Sequence, residues 1–313
     1  MSEENSKKPE WKLLEKVALA SMVEQRKARR WGIFFKSLTF AYLFFIVVAM
    51  LPAGRSAMLP ADEDHVALVA LEGVISANSD ANANTVVTGL RAAFDAERSM
   101  AVIIAINSPG GSPVQSGYIN DEINRLRDLH PDKKVYAVIA DIGASGGYYV
   151  ASAADEIYAD KASLVGSIGV ISAGFGVNGL LEKVGVDRRV YTSGESKNFL
   201  DMFSAEREQD REFWQGVLNV THKQFIEVVK RGRGDRLLDD PQIFSGLIWT
   251  GEQAVEKGLI DGLGSAGYVA REVVGYDDIR DYTVTVSPFE EFAKKIGASF
   301  SIGLQNFFSQ KIM

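Results

Sequence analysis

Three stretches of this sequence are apolar almost without a break: VALVALEGVI (66–75), AVIIAI (101–106) and KVYAVIA (134–140). A strand with one wet face alternates apolar and polar residues, whereas a strand covered on both faces does not. Each run therefore predicts a buried strand. Helical patterns over 86–96 and up to about Leu129 separate them. Strands alternating with helices define an α/β architecture. Further on, YYVASAA (148–154) reads as helix, and EIYAD (156–160), SLVGSIGVIS (163–172) and RRVYT (188–192) read as strands. Helices are predicted over 179–184 and 205–230, and TGEQAVEKGLIDGLG (250–264) reads as a short helix and a Gly-rich turn. The last stretch, 289–313, carries an apolar stripe at helical spacing, suited to core packing or to a subunit or membrane contact.

One apolar run does not fit this scheme. Ile33 to Leu51 reads IFFKSLTFAYLFFIVVAML. At ~1.5 Å per residue it roughly matches the ~30 Å hydrocarbon core of a bilayer. Its one charge, Lys36, lies near the start and can snorkel to the headgroups. Arg26, Lys27, Arg29 and Arg30 precede the run, and Asp62, Glu63 and Asp64 follow it. The positive-inside rule then predicts a cytoplasmic tail (1–31), a transmembrane helix (32–53), a linker (54–65) and everything later outside. The tail places Trp11, Leu14 and Val17 among charges, as an amphipathic or a solvated helix would. A cleaved signal peptide is disfavoured, because the region before the apolar run is too long and Arg55 breaks the small-residue cleavage pattern.

Charge and composition narrow the chemistry. With 34 basic and 41 acidic residues the net charge is −7, which argues against a nucleic-acid binder. The absence of cysteine removes thiol nucleophiles, disulfides and Cys-ligated metals, and no cofactor is expected. There are three histidines, His65, His130 and His222.

Two Gly-rich loops follow two of the apolar strands: Ser108-Pro109-Gly110-Gly111-Ser112 and Gly143-Ala144-Ser145-Gly146-Gly147. Strand ends are where α/β folds place chemistry. Glycines let backbone N–H groups converge on one point, so one N–H from each loop would suit an oxyanion hole. Ser145 sits between glycines where a strand meets a helix, a nucleophile's position that also satisfies G-x-S-x-G. The histidine base that this pattern calls for has one downstream candidate, His222, in the middle of a predicted helix beside Lys223. A neutral lysine is the alternative base. Lys161, Lys183 and Lys197 all qualify by position.

The segments EGVI (72–75), NSPGG (107–111), GASGGYYVASAAD (143–155), VGSIGVI (165–171), SGESKNFLD (193–201) and TGEQAVEKGLIDGLG (250–264) resemble the signal peptide peptidase A family. This is the short form of the S49 serine peptidases, with SohB-like proteases as near relatives. The resemblance runs in order over about 66–275. It implies Ser145 as nucleophile and Lys197, 52 residues on, as base, although Ser196 stands where the family often has Tyr or His. It implies Ser167 as the hydroxyl that orients the lysine, and the N–H groups of Gly111 and Gly146 as oxyanion donors. The implied fold is a ClpP/crotonase-like spiral of ββα units over 66–286, followed by the C-terminal segment 287–313. The implied function is a membrane-anchored serine endopeptidase acting on signal-peptide remnants or other membrane-proximal extended peptides. It would sit on the outer face of a bacterial inner membrane, in a ring-like homo-oligomer whose neighbours complete the sites. A crotonase-like acyl-CoA enzyme and a non-catalytic membrane scaffold are the alternatives.

Overall fold

The computed structural model describes the backbone of residues 7–50 and, throughout, residues 63–285. Residues 63–285 belong to one compact unit and the N-terminal helix α1, Lys7–Met50, to another. The expected linker (except residues 63–65) and the C-terminal apolar stripe lie outside the described residues.

The three apolar runs form adjacent parallel strands. Strand β1 (His65–Glu72) pairs with β2 (Ser99–Ser108) from Val66↔Ala101 to Glu72↔Asn107, and β2 pairs with β3 (Lys134–Ala144). Then β3 forks. Its first half, Tyr136–Ile139, pairs with β4 (Glu156–Ala159), and its end, Ile142–Ala144, pairs with β5 (Leu164–Gly166). Strand β6 (Ile248–Thr250) closes the β5 edge and is the one antiparallel partner among the described strands. Strand β7 (Gly262–Leu263) adds to β4, and β8 (Ile279–Asp281) to β1.

Helices cover both faces, which is why the strand runs are continuously apolar. On one face α2 (Ala83–Asp95), α3 (Pro113–Leu129), α4 (Gly146–Ala151) and, beyond the short α5 (Asn178–Val184), which buries no residue, α6 (Glu208–Arg233) contribute Leu90, Ile119, Tyr148 and Phe225 to a core with Ile104 and Ile106. On the other face Val269 and Ala270, in a π-helical turn (Val269–Val274), pack with Val66, Ile103 and Tyr136. A buried ion pair ties the periphery to the sheet. Arg233, 1% exposed at the end of α6, reaches Asp261 with Nη1 and Nη2 at 2.7 and 3.0 Å. Asp261 in turn accepts the Ile157 N–H of β4 at 2.7 Å.

Two expected strands differ. Residues 188–192 form no strand, and Tyr191 is exposed. The edge of the sheet beyond β5 is taken by β6, so this segment has no ladder to join. The strand expected over 163–172 stops at Gly166, because Ser167 turns to φ 51° and its N–H bonds Leu247 O at 2.8 Å.

The expected membrane span is also not met within the described residues, where no helix is long and apolar enough to cross a membrane. In α1 the charge-poor run with described side chains is 31–46, about 24 Å of helix. Extending it backwards brings in Arg29 and Arg30 beside Lys36, and the side chains of 47–50 lie outside the described set.

Candidate active site

Ser145 stands at the end of β3 and caps α4 with φ 51° and ψ −121°. A residue with a side chain adopts this conformation only where its surroundings hold it. The hold is visible. The Ser145 N–H donates to Gly166 O at 2.8 Å, and its own carbonyl accepts from Tyr149 N at 2.9 Å to open α4. The turn pushes the side chain out of the ladder. Among the described residues, the Ser145 hydroxyl has no hydrogen-bond partner.

The loop after β2 lies against this turn. A Cβ on Gly110 would fall 2.5 Å from Gly146 N and 2.7 Å from the Ser145 Cβ. A Cβ on Gly146 would fall 2.4 Å from Ser116 Oγ and 3.2 Å from Gly111 N. Only glycine permits both approaches, and they bring the Gly111 and Gly146 N–H groups together beside Ser145. Gly111 bridges Ile75 through its neighbours: Ile75 N donates to Gly110 O at 2.9 Å and Ser112 N to Ile75 O at 2.8 Å. Its own N–H therefore points away from Ile75. Among the described residues, neither the Gly111 nor the Gly146 N–H donates to a protein acceptor, so both are available to a ligand oxygen.

Ser167 is the neighbour of Ser145 across the sheet. Ala144 pairs with Gly166, so the two serines are next in register on adjacent parallel strands, and both have φ 51°. Adjacent strands run ~4.8 Å apart. The structure thus brings Gly111, Ser145, Gly146 and Ser167 to one place.

Lys197 is not joined to them. It is exposed, and among the described residues its side chain makes no hydrogen bond or ion pair. The segment that carries it is anchored on either side. Phe199 packs edge-on to Phe213 and Trp214 of α6, with ring centroids 6.1 and 5.8 Å apart. Asp201 accepts from Arg188 and from Ser204 Oγ. Burial pushes the Asp201 carboxyl up, but the bonds from Arg188, Ser204 and the Phe203 N–H outweigh it and hold the carboxyl below its ordinary range. Of the other base candidates, Lys161 and Lys183 are exposed, and His222 Nε2 lies 3.1 Å from Ile168 O.

Sequence reasoning missed the structure that supports Ser167. Trp249 of β6 pairs with Val165, and Lys257 Nζ lies 4.0 Å from the centre of its indole while bonding Asp240 at 2.8 Å. Lys257 of the 250–264 motif thus buttresses the strand before Ser167 through Trp249. An aromatic residue just ahead of that motif was the available signal.

A strained serine at the carboxyl end of a parallel sheet, with two free N–H groups beside it, is the layout of a serine-dependent acyl-transfer enzyme. Residues 127–275, which include Ser145, Ser167 and Lys197, match the model of Peptidase family S49. The chain is 35% identical over 163 residues to a putative signal peptide peptidase SppA of Enterococcus faecium, covering 52% of this chain and 47% of that one. It is 34% identical over 198 residues to the probable protease SohB of Buchnera aphidicola, covering 62% and 57%. A protein of Brucella abortus named Na(+)/H(+) antiporter NhaA is 49% identical over 188 residues, covering 59% of this chain and 25% of that protein. The matched region thus spans a quarter to less than two thirds of these relatives. Over residues 127–275 the chain is thus similar to peptidase family S49, a family of serine peptidases.

Proposed function

We propose that this chain is a membrane-anchored serine endopeptidase with a Ser145–Lys197 dyad, acting on remnant signal peptides or other extended membrane-proximal peptides. The observation that carries the proposal is the Ser145 turn, strained and flanked by the free N–H groups of Gly111 and Gly146. Neutral Lys197 takes the proton of Ser145 Oγ as the oxygen attacks the peptide carbonyl. The two N–H groups hold the oxyanion. The C–N bond then breaks, Lys197 returns the proton to the leaving amine, and the acyl chain stays on Ser145. Water, deprotonated by Lys197, releases it. Ser167, one strand over, orients the lysine. An extended peptide adds as a strand along the outward edge at Gly110-Gly111.

Lys197 is exposed and makes no side-chain hydrogen bond or ion pair among the described residues, which supports a homo-oligomer in which a neighbour supplies the base. The ClpP/crotonase-like spiral and the peptidase domain over 66–286 belong to this reading. So does the anchor over 32–53. The described side chains from Trp31 to Phe45 are exposed and apolar apart from Lys36, Ser37 and Thr39, as on a lipid-facing helix. The tail would lie in the cytoplasm and the site outside a bacterial inner membrane.

The test compares wild type, Ser145→Ala and Lys197→Ala on a synthetic signal peptide across pH. Both variants should be inactive, and wild-type activity should rise with pH. An equimolar mixture of the two variants should regain activity, because mixed assemblies contain sites with both groups. Cleavage surviving in either variant overturns the dyad. A mixture that stays inactive overturns the shared site alone.

A further inference from the structure

We infer that Asn120 is a positioning residue that sets the spacing of the two N–H groups beside Ser145. The inference rests on reading Gly111 and Gly146 as an oxyanion hole. These donors stand at the entrances of two different helices. Gly111 precedes the Ser112 cap of α3, and Gly146 is the first residue of α4. Their separation is therefore set by how α3 meets α4.

The two helices are fastened at two points. At the first, Ser116 of α3 is fully buried and donates its hydroxyl to Ser112 O at 3.1 Å. That hydroxyl lies where a Cβ on Gly146 would come within 2.4 Å, so α3 and the start of α4 are in close contact. At the second, Asn120, 2% exposed, donates Nδ2 to Tyr149 O at 2.8 Å. Tyr149 O belongs to the last turn of α4, where carbonyls lose their helical partners. The N–H four residues on, Ala153, bonds Val150 O instead. Besides Asn120, the Ser152 hydroxyl reaches Tyr149 O, at 2.8 Å. Asn124 Nδ2 donates to Asn120 Oδ1 at 2.9 Å, which fixes the end of the amide that faces α4.

Apolar contacts between helices allow sliding, whereas a buried amide bond has a set length and direction. With Gly146 in contact at one end and Tyr149 tied at the other, α4 cannot tilt without breaking the Asn120 bond. Tilting would move the Gly146 N–H relative to Gly111. Oxyanion donors act only within about 2.7–3.1 Å of the developing charge. A misplaced donor therefore weakens transition-state binding and leaves ground-state binding intact.

The experiment uses the full-length chain with Asn120→Asp, Asn120→Leu and Asn124→Ala. Asp places an oxygen against Tyr149 O, Leu removes the tie, and Asn124→Ala frees the amide to rotate. Three quantities are read: kcat and KM on a fluorogenic peptide, affinity for a peptide boronate that adds to Ser145, and affinity for an uncleavable peptide of the same sequence. The Asn120 variants should lose roughly ten- to a hundred-fold in kcat and in boronate affinity, with KM and uncleavable-peptide affinity unchanged. Asn124→Ala should show a smaller loss of the same pattern, and it carries the test if an Asn120 variant does not fold. Folded variants with wild-type kcat and boronate affinity, or with a lower melting temperature as their only change, overturn the inference while leaving the proposed function standing. A wild-type chain that does not bind the boronate overturns both.

Discussion

At the scale of single residues, the serine proposed as nucleophile, Ser145, is also a strained one. Positive φ costs a residue with a side chain ~1–3 kcal/mol and glycine much less. Ser145→Gly should therefore stabilise the fold by about 1 kcal/mol over Ser145→Ala in urea melts, and both should be inactive on peptide. This position was legible in the sequence because glycines flank the serine at the end of an apolar run. The proposed base was not legible in the same way. Lys197 has no local signature, and its assignment came mainly from the spacing that the resemblance implies, helped by the absence of a credible histidine base. A second residue-scale expectation concerns Glu122, which hydrogen bonds from Arg125 and Arg91 hold at about 2. A carboxyl held below its ordinary value of 4.5 stabilises the fold above that pH, and the contribution fades as pH falls towards 2. Both arginines are half exposed, so screening limits the gain to ~1–2 kcal/mol. Glu122→Gln should lose that amount at pH 7 in urea melts and match wild type near pH 2.

At the scale of elements, the long apolar runs read correctly because burial on both faces leaves no ambiguity of period. The shorter elements read less well because their fate was decided by partners elsewhere in the chain. RRVYT has a strand's composition, but β6 occupies the edge it would need. The Ser167 strand ends early because a backbone turn, invisible in composition, redirects it. Helix α7 (Gly251–Glu256) shows what a clear local signal does. Thr250 Oγ1 accepts from Gln253 N at 3.3 Å, and Gln253 Oε1 accepts from Thr250 N at 3.1 Å, a reciprocal capping box. Thr250→Ala should cost about 1 kcal/mol in chemical denaturation. Because α7 leads into the segment that buttresses Ser167, the variant should also lower kcat modestly.

At the scale of the molecule, the Arg233–Asp261 pair joins the end of α6 to β4 and to the turn after α7. Burial pushes the Asp261 carboxyl up, but Arg233, the Ile157 N–H and Arg236 outweigh it and hold the carboxyl below its ordinary range. Its contribution is thus present at neutral pH and is lost as pH falls through that lowered value. Removing Arg233 leaves Asp261 with the half-exposed Arg236 and the Ile157 N–H, so Arg233→Met should cost about 2–3 kcal/mol, less than a fully stranded charge, read as a fall in the urea midpoint. Restoring neutrality with Asp261→Asn in the same chain should recover part of it.

Under the proposed function, with a membrane anchor, signal-sequence substrates and a neighbour's lysine as base, the exposed Lys197 would make each chain latent when it leaves the ribosome. A lone protomer in a sparse bilayer would carry a nucleophile with nothing to activate it. Cleavage would then begin only once enough copies gather in the same patch of membrane. Abundance itself would be the switch, sparing intact signal sequences while the enzyme is scarce.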